Sequence, residues 1–468
     1  MDKDRKETGK AVPFGMRDKV GYLLGDLGND FTFLLSSGFL MKFYTDVMGV
    51  DGFVVGLVMT VARFVDAFTD VVMGRLCDRS RVTPAGKFKP WLRRMSGPVA
   101  VASFLIYQSG LANRSMGFKV AWLFVTYILW GSVFYTAVNI PYGSMASSVS
   151  PDPGDRQSLS TYRSMGGTLA GVIVGAGIPM AAYDTQQGRA VLNGSRFTAI
   201  AGIFSVLAVV CYLLCYHLTT ERVRPRNEVQ NRDSIGSMLK DALKNRALIS
   251  VIAASVVMLL AQLTMQSMAN YVYPNYYGNT AAQSASTLVM LVAMLAAAAC
   301  AKPLAAAVGK AELSGAASLF AAAVCVVLFF LRPSNVWVYV GLTTLSWLGL
   351  GIFNMVSWAL ITDVIDDQEV RTGIRSDGSV YAMYSFARKL GQAGAAALTG
   401  GMLSFIGYSQ STAFDHGVLE GIYTISTIIP AVGFGALGLI LWLWYPLHKK
   451  QVQANVAALA QRNQDKGE

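Results

Sequence analysis

Charged residues are scarce in this chain of 468 residues: they make up 14% of it, against 53% hydrophobic residues, whereas soluble proteins usually contain about 25% charged residues. Histidine occurs only three times, at the ends of hydrophobic stretches, so no central histidine proton relay is expected. The five cysteines lie in or beside such stretches without metal-ligand spacing, which argues against a zinc site and a disulfide framework. No glycine-lysine phosphate-binding loop occurs, so ATP-driven pumping is disfavoured.

What fills the chain instead is a series of twelve hydrophobic stretches, each of about the 20 residues that a membrane-spanning helix needs. The alternating pattern of a β-barrel is absent, so we predict an all-α integral membrane protein with twelve transmembrane helices. The formal charge of +11 comes from basic residues in alternate connections, at 3–19, 75–94 and 222–246. Such connections favour the cytoplasm. Both termini are therefore expected there, and nucleic acid is not an expected partner.

The hydrophobic stretches form two equal sets of six. We predict a cytoplasmic N-terminal segment at 1–19, six-helix bundles at 20–219 and 247–446, a cytoplasmic linker at 220–246 and a cytoplasmic tail at 447–468. Two bundles of six spans are the architecture of major-facilitator carriers. The tail is rich in Gln, Asn and Lys, which is typical of a solvated helix or coil.

The second span carries Arg63, Asp66 and Asp70 at spacings of three and four, which places them on one helical face. Charged side chains at this depth are costly, so they need partners or a water-filled cavity. A pair of carboxylates suits Na⁺ or a proton, and a structural ion-pair cluster between helices is the alternative. The residues themselves leave these possibilities open.

Other polar side chains within the spans are candidates for substrate contacts. Asp30 lies about 16 Å along the first span from Lys19, and a carboxylate accepts hydrogen bonds from two hydroxyl groups at once. Isolated cations, a tryptophan, an amide and two hydroxyls in later spans complete the predicted substrate set: Asn139, Tyr142, Arg163, Trp358, Ser385 and Lys389. For the cations, intramolecular carboxylate partners are the alternative to an anionic substrate, and for Trp358 it is helix packing.

A cytoplasmic segment near the tenth span mixes acids and bases. We predict that these residues pair across the two halves and gate the carrier. They are Asp363, Asp366, Glu369, Arg371 and Arg375. Positive-inside topology is the simpler explanation for the basic members.

Several motifs carry a resemblance to a known family over nearly the whole chain. They include GYLLGDLGNDF at 21–31, DAFTD at 66–70, GKFKPW at 86–91, NIPYGS at 139–144 and YSFARKLGQA at 384–393. The chain resembles the glycoside–pentoside–hexuronide:cation symporters of the major facilitator superfamily. That resemblance implies no enzyme activity, a bacterial inner membrane, a sugar substrate and a coupling cation, and we expect a monomer surrounded by membrane lipid.

The resemblance also implies residue roles. Asp66 and Asp70, with Thr136, match the cation site, and Arg63 matches an arginine of the same network. Asp30 and Arg163 match the principal sugar-binding pair, and Lys389 matches a lysine linked to it.

One departure from the family pattern affects the expected substrate. Asn139 stands where the melibiose carriers have an aspartate, and the loss of that charge favours proton over Na⁺ coupling and an anionic sugar such as a hexuronide or a sulfonated sugar. Symport of neutral pentosides or glycosides, and uncoupled facilitated transport, remain the alternatives.

Overall fold

The computed structural model describes residues 13–223, 245–373 and 377–466. Its first helices are α1 (Met16–Asp46), α2 (Gly52–Arg79), α3 (Lys89–Ile106), α4 (Met116–Ile128), α5 (Thr136–Val149), α6 (Pro153–Ala181) and α7 (Gly194–Leu218). After the undescribed residues 224–244 come α8 (Arg246–Tyr271), α9 (Thr280–Val308), α10 (Lys310–Leu331), α11 (Val336–Thr372), α12 (Asp377–Phe405), α13 (His416–Leu439) and α14 (Lys449–Lys466). A short hairpin, β1 (Tyr183–Gln186) and β2 (Arg189–Leu192), precedes α7.

Three π-helical segments extend or join these helices: Leu129–Tyr135 links α4 to α5, Val272–Tyr276 follows α8, and Ile440–Trp444 follows α13. Within the described residues, nine helices are long and apolar enough to cross a membrane, with α4 and α5 counted as one. The long helices α1, α3 and α12 complete the twelve predicted spans, and each of them carries charged residues. The all-α fold is therefore confirmed.

Short polar residues begin several of the helices. The side chains of Asp152, Asn193, Asn245 and Asn279 each accept a hydrogen bond from the backbone N–H three residues further on. This contact satisfies one of the N–H groups that a helix start leaves without a partner. The ends of α6, α7, α8 and α9 are therefore encoded locally.

Small residues let α1 approach its neighbours. A methyl group at Gly28 would lie 3.0 Å from Cβ of Cys211 and 3.1 Å from the carbonyl oxygen of Ala208 on α7. At Gly25 a methyl group would clash with the ring of Tyr142 on α5. These glycines bring the polar face of α1 against the helices that carry the other polar residues of the site.

The described chain divides into two compact units. The first comprises the residues up to Phe43, then Phe64–Ala182, and the residues from Leu192 to the gap at 224–244. The second comprises Tyr44–Arg63, Tyr183–Val191 and the residues after that gap. The helices α1 and α2 thus each belong partly to one unit and partly to the other.

Polar and small residues hold the segment Tyr44–Arg63 within the second unit. The phenol of Tyr408 donates a hydrogen bond to Oδ1 of Asp46 at 2.7 Å, and the hydroxyl of Thr60 donates to the backbone oxygen of Ala393 at 3.0 Å. A methyl group at Gly52 would lie 3.1 Å from the backbone oxygen of Gly400 on α12. Such close helix contact is typical of small residues in membrane proteins.

The tail forms α14, and the structure anchors it more firmly than its composition indicates. Asn455 is buried, and its amide donates a hydrogen bond to Oδ1 of Asp367 on α11 at 3.1 Å. The backbone N–H of Lys449 donates to the carboxylate of Glu312 at 2.9 Å. The tail is thus a docked helix.

Candidate substrate and cation sites

An ion pair between α1 and α6 forms the centre of the polar region in the first unit. Nε of Arg163 donates a hydrogen bond to Oδ1 of Asp26 at 2.9 Å. Asp26 is buried, while the Arg163 side chain is 40% exposed. The guanidinium therefore has a fixed end on α1 and an accessible end with N–H donors left for a solute.

Two tyrosines that stack on each other lie beside this arginine. The rings of Tyr22 on α1 and Tyr142 on α5 stack at 4.6 Å, and each hydroxyl donates a hydrogen bond to the other residue's backbone oxygen. The guanidinium carbon of Arg163 lies 5.2 Å from the centre of the Tyr142 ring, within reach of a cation–π contact. Tyr142 is fully buried. Its described contacts position Arg163, and a direct contact with substrate stays a prediction.

The second carboxylate of α1, Asp30, lies beside a glycine of α6. A methyl group at Gly167 would lie 2.8 Å from Oδ2 of Asp30 and 3.1 Å from Oδ2 of Asp26. Both carboxylates therefore face the same point on α6. The family resemblance implies that Asp30 and Arg163 both bind the sugar, which stays a prediction. The ion pair of Arg163 is with Asp26, one turn before Asp30.

Asn139 belongs to an amide network of α1, α5 and α7. Its Oδ1 accepts a hydrogen bond from the amide of Asn29 at 3.3 Å, and Oδ1 of Asn29 accepts one from the Tyr212 hydroxyl at 2.8 Å. Asn29 is buried and Asn139 is partly exposed. The network leaves the Asn139 amide N–H₂ as the donor that can address a substrate hydroxyl.

The predicted cation residues of α2 meet hydroxyl groups of the α4–α5 span. The Ser132 hydroxyl donates a hydrogen bond to Oδ1 of Asp66 at 2.5 Å, and the Thr136 hydroxyl lies 3.0 Å from Oδ1 of Asp70. The Thr136 hydroxyl also lies 3.2 Å from the backbone oxygen of Gly131. The structure thus brings Asp70 to Thr136 and Asp66 to Ser132, and a cation-binding role for these residues stays a prediction.

This group of oxygens has the chemistry of a site for a hard cation or a proton. Two carboxylates, two hydroxyls and a backbone carbonyl supply only oxygen ligands, which Na⁺ prefers, and a carboxylate pair can equally share a proton. In the described part of the chain, no cluster of three or more His, Cys, Asp or Glu residues could hold a metal ion. Arg63 lies on α2 one turn before Asp66.

The second unit carries an exposed aromatic and cationic face. The Trp358 indole on α11 is 43% exposed and meets the Tyr384 ring edge to face at 5.1 Å. The guanidinium carbon of Arg388 on α12 lies 5.8 Å from both rings. Lys389 and Ser385 lie on the same helix and are partly exposed. Sequence reasoning named Trp358, Ser385 and Lys389 but gave Arg388 no role.

The predicted gating residues make contacts inside the second unit. Nζ of Lys310 donates a hydrogen bond to Oδ1 of the buried Asp363 at 2.6 Å. Nε of Arg371 lies 2.9 Å from Oδ2 of Asp367, one turn earlier on α11. Asp367 also accepts the hydrogen bond from Asn455. These carboxylates therefore fix the end of α11 to α10 and α14, and the pairing across the halves stays a prediction.

The other members of this set lie at the end of α11. Asp366 and Glu369 are partly buried, and the backbone oxygen of Glu369 accepts hydrogen bonds from the N–H of Gly373 and from Arg462. Gly373 has φ of +77°, a conformation that glycine adopts without strain and that ends the helix. Arg375 lies outside the described residues.

The helical fold and the family match over residues 21–449 define a class of protein: a multi-pass helical membrane transporter, not an enzyme. A family model described as MFS/sugar transport protein matches residues 21–449. The chain belongs to this family and, as its motifs predicted, to the glycoside–pentoside–hexuronide:cation symporters within it. It is therefore a sugar transporter.

Curated relatives match over almost the entire chain. The isoprimeverose transporter of Lactiplantibacillus pentosus is 31% identical over 436 residues, covering 92% of this chain and 89% of that protein. The glucuronide carrier protein homolog of Escherichia coli (strain K12) is 28% identical over 447 residues, covering 95% and 96%. The crystal structure of a D-xylose-proton symporter superposes with a TM-score of 0.64 at 13% identity, covering 92% of this chain and 98% of that one, which shows the fold.

Proposed function

We propose that the protein is a symporter that couples entry of an anionic sugar, such as a hexuronide or a sulfonated sugar, to a cation gradient, with a proton as the coupling ion. Transport proceeds by alternating access. The observation that carries the proposal is the set of hydrogen bonds that joins Asp66 to Ser132 and Asp70 to Thr136. Two carboxylates at membrane depth, each matched to a hydroxyl, are costly to maintain unless they bind a cation or a proton.

The neutral amide at Asn139 supports proton coupling over Na⁺ coupling. Na⁺ needs several oxygens arranged around it, whereas a proton needs one carboxylate and an acceptor. Asn139 contributes a neutral amide and is engaged with Asn29, so it adds no charge that would attract Na⁺. A cation on Asp66 and Asp70 then favours the state that binds sugar, and the sugar favours the cation by the same free energy.

Each unit, taken by itself, offers groups that can recognise a sugar. In the first unit, Asp30, Asn139 and Arg163 offer acceptors and donors for hydroxyl groups. In the second unit, Trp358 can stack on the apolar face of a pyranose ring. Beside it, Arg388 offers the planar fork of N–H donors that matches a carboxylate or sulfonate. This cationic face supports an anionic sugar.

Two alternatives have their own support. The relative named as an isoprimeverose transporter favours a neutral pentoside. Such a substrate would contact Asp30 and Asn139 and would need no basic side chain on α12. An uncoupled facilitator would have the same fold and would use Asp66 and Asp70 as a structural polar cluster.

The test of coupling is uptake of a labelled glucuronide and a neutral pentoside into vesicles with imposed pH or Na⁺ gradients. We expect a pH gradient to drive accumulation of the glucuronide, and Asp66→Asn to abolish accumulation while exchange across the membrane persists. Thr69→Ala is the matched control, because within the described part of the chain this hydroxyl on α2 bonds only to backbone oxygens of its own helix. Accumulation that survives in Asp66→Asn would overturn the symport mechanism.

The substrate class is tested by removing the positive charge of Arg388 on α12. Arg388→Gln is expected to weaken glucuronide uptake at least tenfold in apparent affinity, because a charged hydrogen bond contributes about 1.5–3 kcal/mol, and to change pentoside uptake little. Arg388→Lys keeps the charge and should retain part of the preference. Equal effects on both sugars would favour the neutral substrate.

A further inference from the structure

A groove of about 470 Å³ runs between α9 and α11 in the second unit. Its wall on α9 is made largely of alanines, among them Ala298 and Ala301, and its wall on α11 includes Met355 and Ala359. The small side chains of α9 create the depression, because the helix surface there has little volume beyond its Cβ atoms. The groove is therefore shaped for a narrow apolar chain.

Two lysines line the same groove, Lys302 midway along its α9 wall and Lys310 at the start of α10. Lys302 lies six residues before Val308, the last residue of α9, and Lys310 begins α10. At 1.5 Å per residue, Lys302 lies about 9 Å from the end of the helix. Positive-inside topology assigns this end to the cytoplasm. A long basic side chain at that depth reaches the headgroup region of a bilayer.

The charges at this end are unevenly balanced. Lys310 is paired with Asp363 at 2.6 Å. Lys302 is exposed, and the described residues include no ion-pair partner for it. α9 is also the least buried of the nine candidate spans in the described chain, with 17% of its apolar segment covered by protein. An exposed cation beside an uncovered apolar groove complements a ligand with one anionic group and a hydrocarbon chain.

A second groove of similar size is apolar but has no lysine in its lining. It has a volume of about 420 Å³ and lies between α3 and α4 in the first unit, where Pro98, Val101 and Leu129 are among its lining residues. No charged residue lines it. Of these two grooves, the α9–α11 groove is the one lined by lysines.

We propose that the α9–α11 groove is a binding site for an anionic phospholipid of the cytoplasmic leaflet. One acyl chain lies along the alanines of α9, and the phosphate contacts Lys302, with Lys310 adding a second donor at the rim. Basic pockets between membrane helices on the cytoplasmic side have the chemistry that recognises anionic headgroups. This site is separate from the polar residues assigned to sugar and cation, and it does not depend on the proposed function.

The test is native mass spectrometry of the full-length protein in detergent, titrated with phosphatidylglycerol or with phosphatidylcholine of the same chain length. We expect one phosphatidylglycerol to bind more tightly than phosphatidylcholine. Lys302→Gln should weaken phosphatidylglycerol about fivefold, which corresponds to about 1 kcal/mol for one basic residue, and Lys302→Arg should retain it. Lys450→Gln removes an exposed lysine of α14 outside the groove and should change nothing.

The acyl chain is tested by filling the groove. Ala298→Phe should lower the affinity for both lipids, whereas Ala299→Phe, at an exposed neighbouring position that does not line the groove, should leave it unchanged. Equal binding of the two lipids to the wild type would overturn the proposal. So would a loss in Lys450→Gln as large as that in Lys302→Gln, or equal losses in the two phenylalanine variants.

Discussion

Gly167→Ala tests the carboxylate arrangement of the first unit with the smallest available change. The added methyl group would lie 2.8 Å from Oδ2 of Asp30 and 3.1 Å from Oδ2 of Asp26. Ordinary van der Waals contact begins near 3.4 Å, so Asp30 must withdraw by about 0.6 Å, the difference between 3.4 and 2.8 Å. Gly171→Ala is the matched control on the same helix, because its nearest neighbour is Cδ1 of Leu34 at 4.0 Å.

The expected loss follows from the hydrogen bonds that Asp30 would make to a sugar. Weakening one such bond costs about 0.5–1.5 kcal/mol, which corresponds to an affinity about 2- to 12-fold lower. Alanine is favoured over glycine inside a helix by about 1 kcal/mol, so neither variant should lose thermal stability. A drop in affinity for Gly167→Ala therefore reports on the site and not on folding.

The assay is equilibrium binding of the best-transported sugar to purified protein, with thermal unfolding of each variant measured in parallel. The reasoning fails if Gly167→Ala binds sugar as tightly as the wild type. It also fails if Gly171→Ala loses as much affinity, because the effect would then come from α6 as a whole. A stability loss confined to Gly167→Ala would indicate that the two carboxylates serve packing.

Three further predictions concern other contacts. Ser132→Ala should weaken activation of sugar binding by the coupling cation about threefold to tenfold, because Asp66 loses a hydrogen-bond donor worth about 1 kcal/mol. The control variant Thr69→Ala should not weaken it. Titration of the sugar affinity against pH and against Na⁺ compares the two variants. Glu221→Ala should lower the thermal unfolding temperature. The Glu221 carboxylate accepts hydrogen bonds from the backbone N–H groups of Lys87, Phe88 and Lys89 at the start of α3, and the loss of these bonds costs about 1–3 kcal/mol. An unchanged unfolding temperature would contradict this prediction. Asn455→Leu should increase proteolysis of α14 and leave sugar binding intact, since it removes the hydrogen bond to Asp367. Protection equal to that of the wild type would show that the remaining contacts of α14 hold the tail without this hydrogen bond.

The helices and the shared face of Asp66 and Asp70 could be predicted because their determinants are local. Hydrophobic stretches specify spans, and the spacing of Asp66 and Asp70 places them on one face of α2 wherever that helix packs. Ser132 escaped prediction because a serine in an apolar helix usually bonds its own backbone. Its contact with Asp66 depends on the π-helical segment Leu129–Tyr135, which changes the helical register.

The carboxylate that pairs with Arg163 in the first unit was harder to predict from the sequence. Asp26 and Asp30 lie four residues apart on one face of α1, so spacing alone does not say which of them meets Arg163. The answer depends on how far α6 slides along α1, which is set by close contacts such as the one at Gly167. The docking of α14 escaped for a similar reason, because the polar tail contacts α11 through individual polar groups, the buried amide of Asn455 and the guanidinium of Arg462.

The division of α1 and α2 between the units has a consequence for the protein as two pieces. A cut in the linker would separate the six-span halves, yet the N-terminal piece would keep Tyr44–Arg63, which packs within the second unit through Asp46, Thr60 and Gly52. That piece thus carries a built-in docking element for the other one. Fragments made as separate polypeptides therefore have a physical basis for reassembling in the membrane.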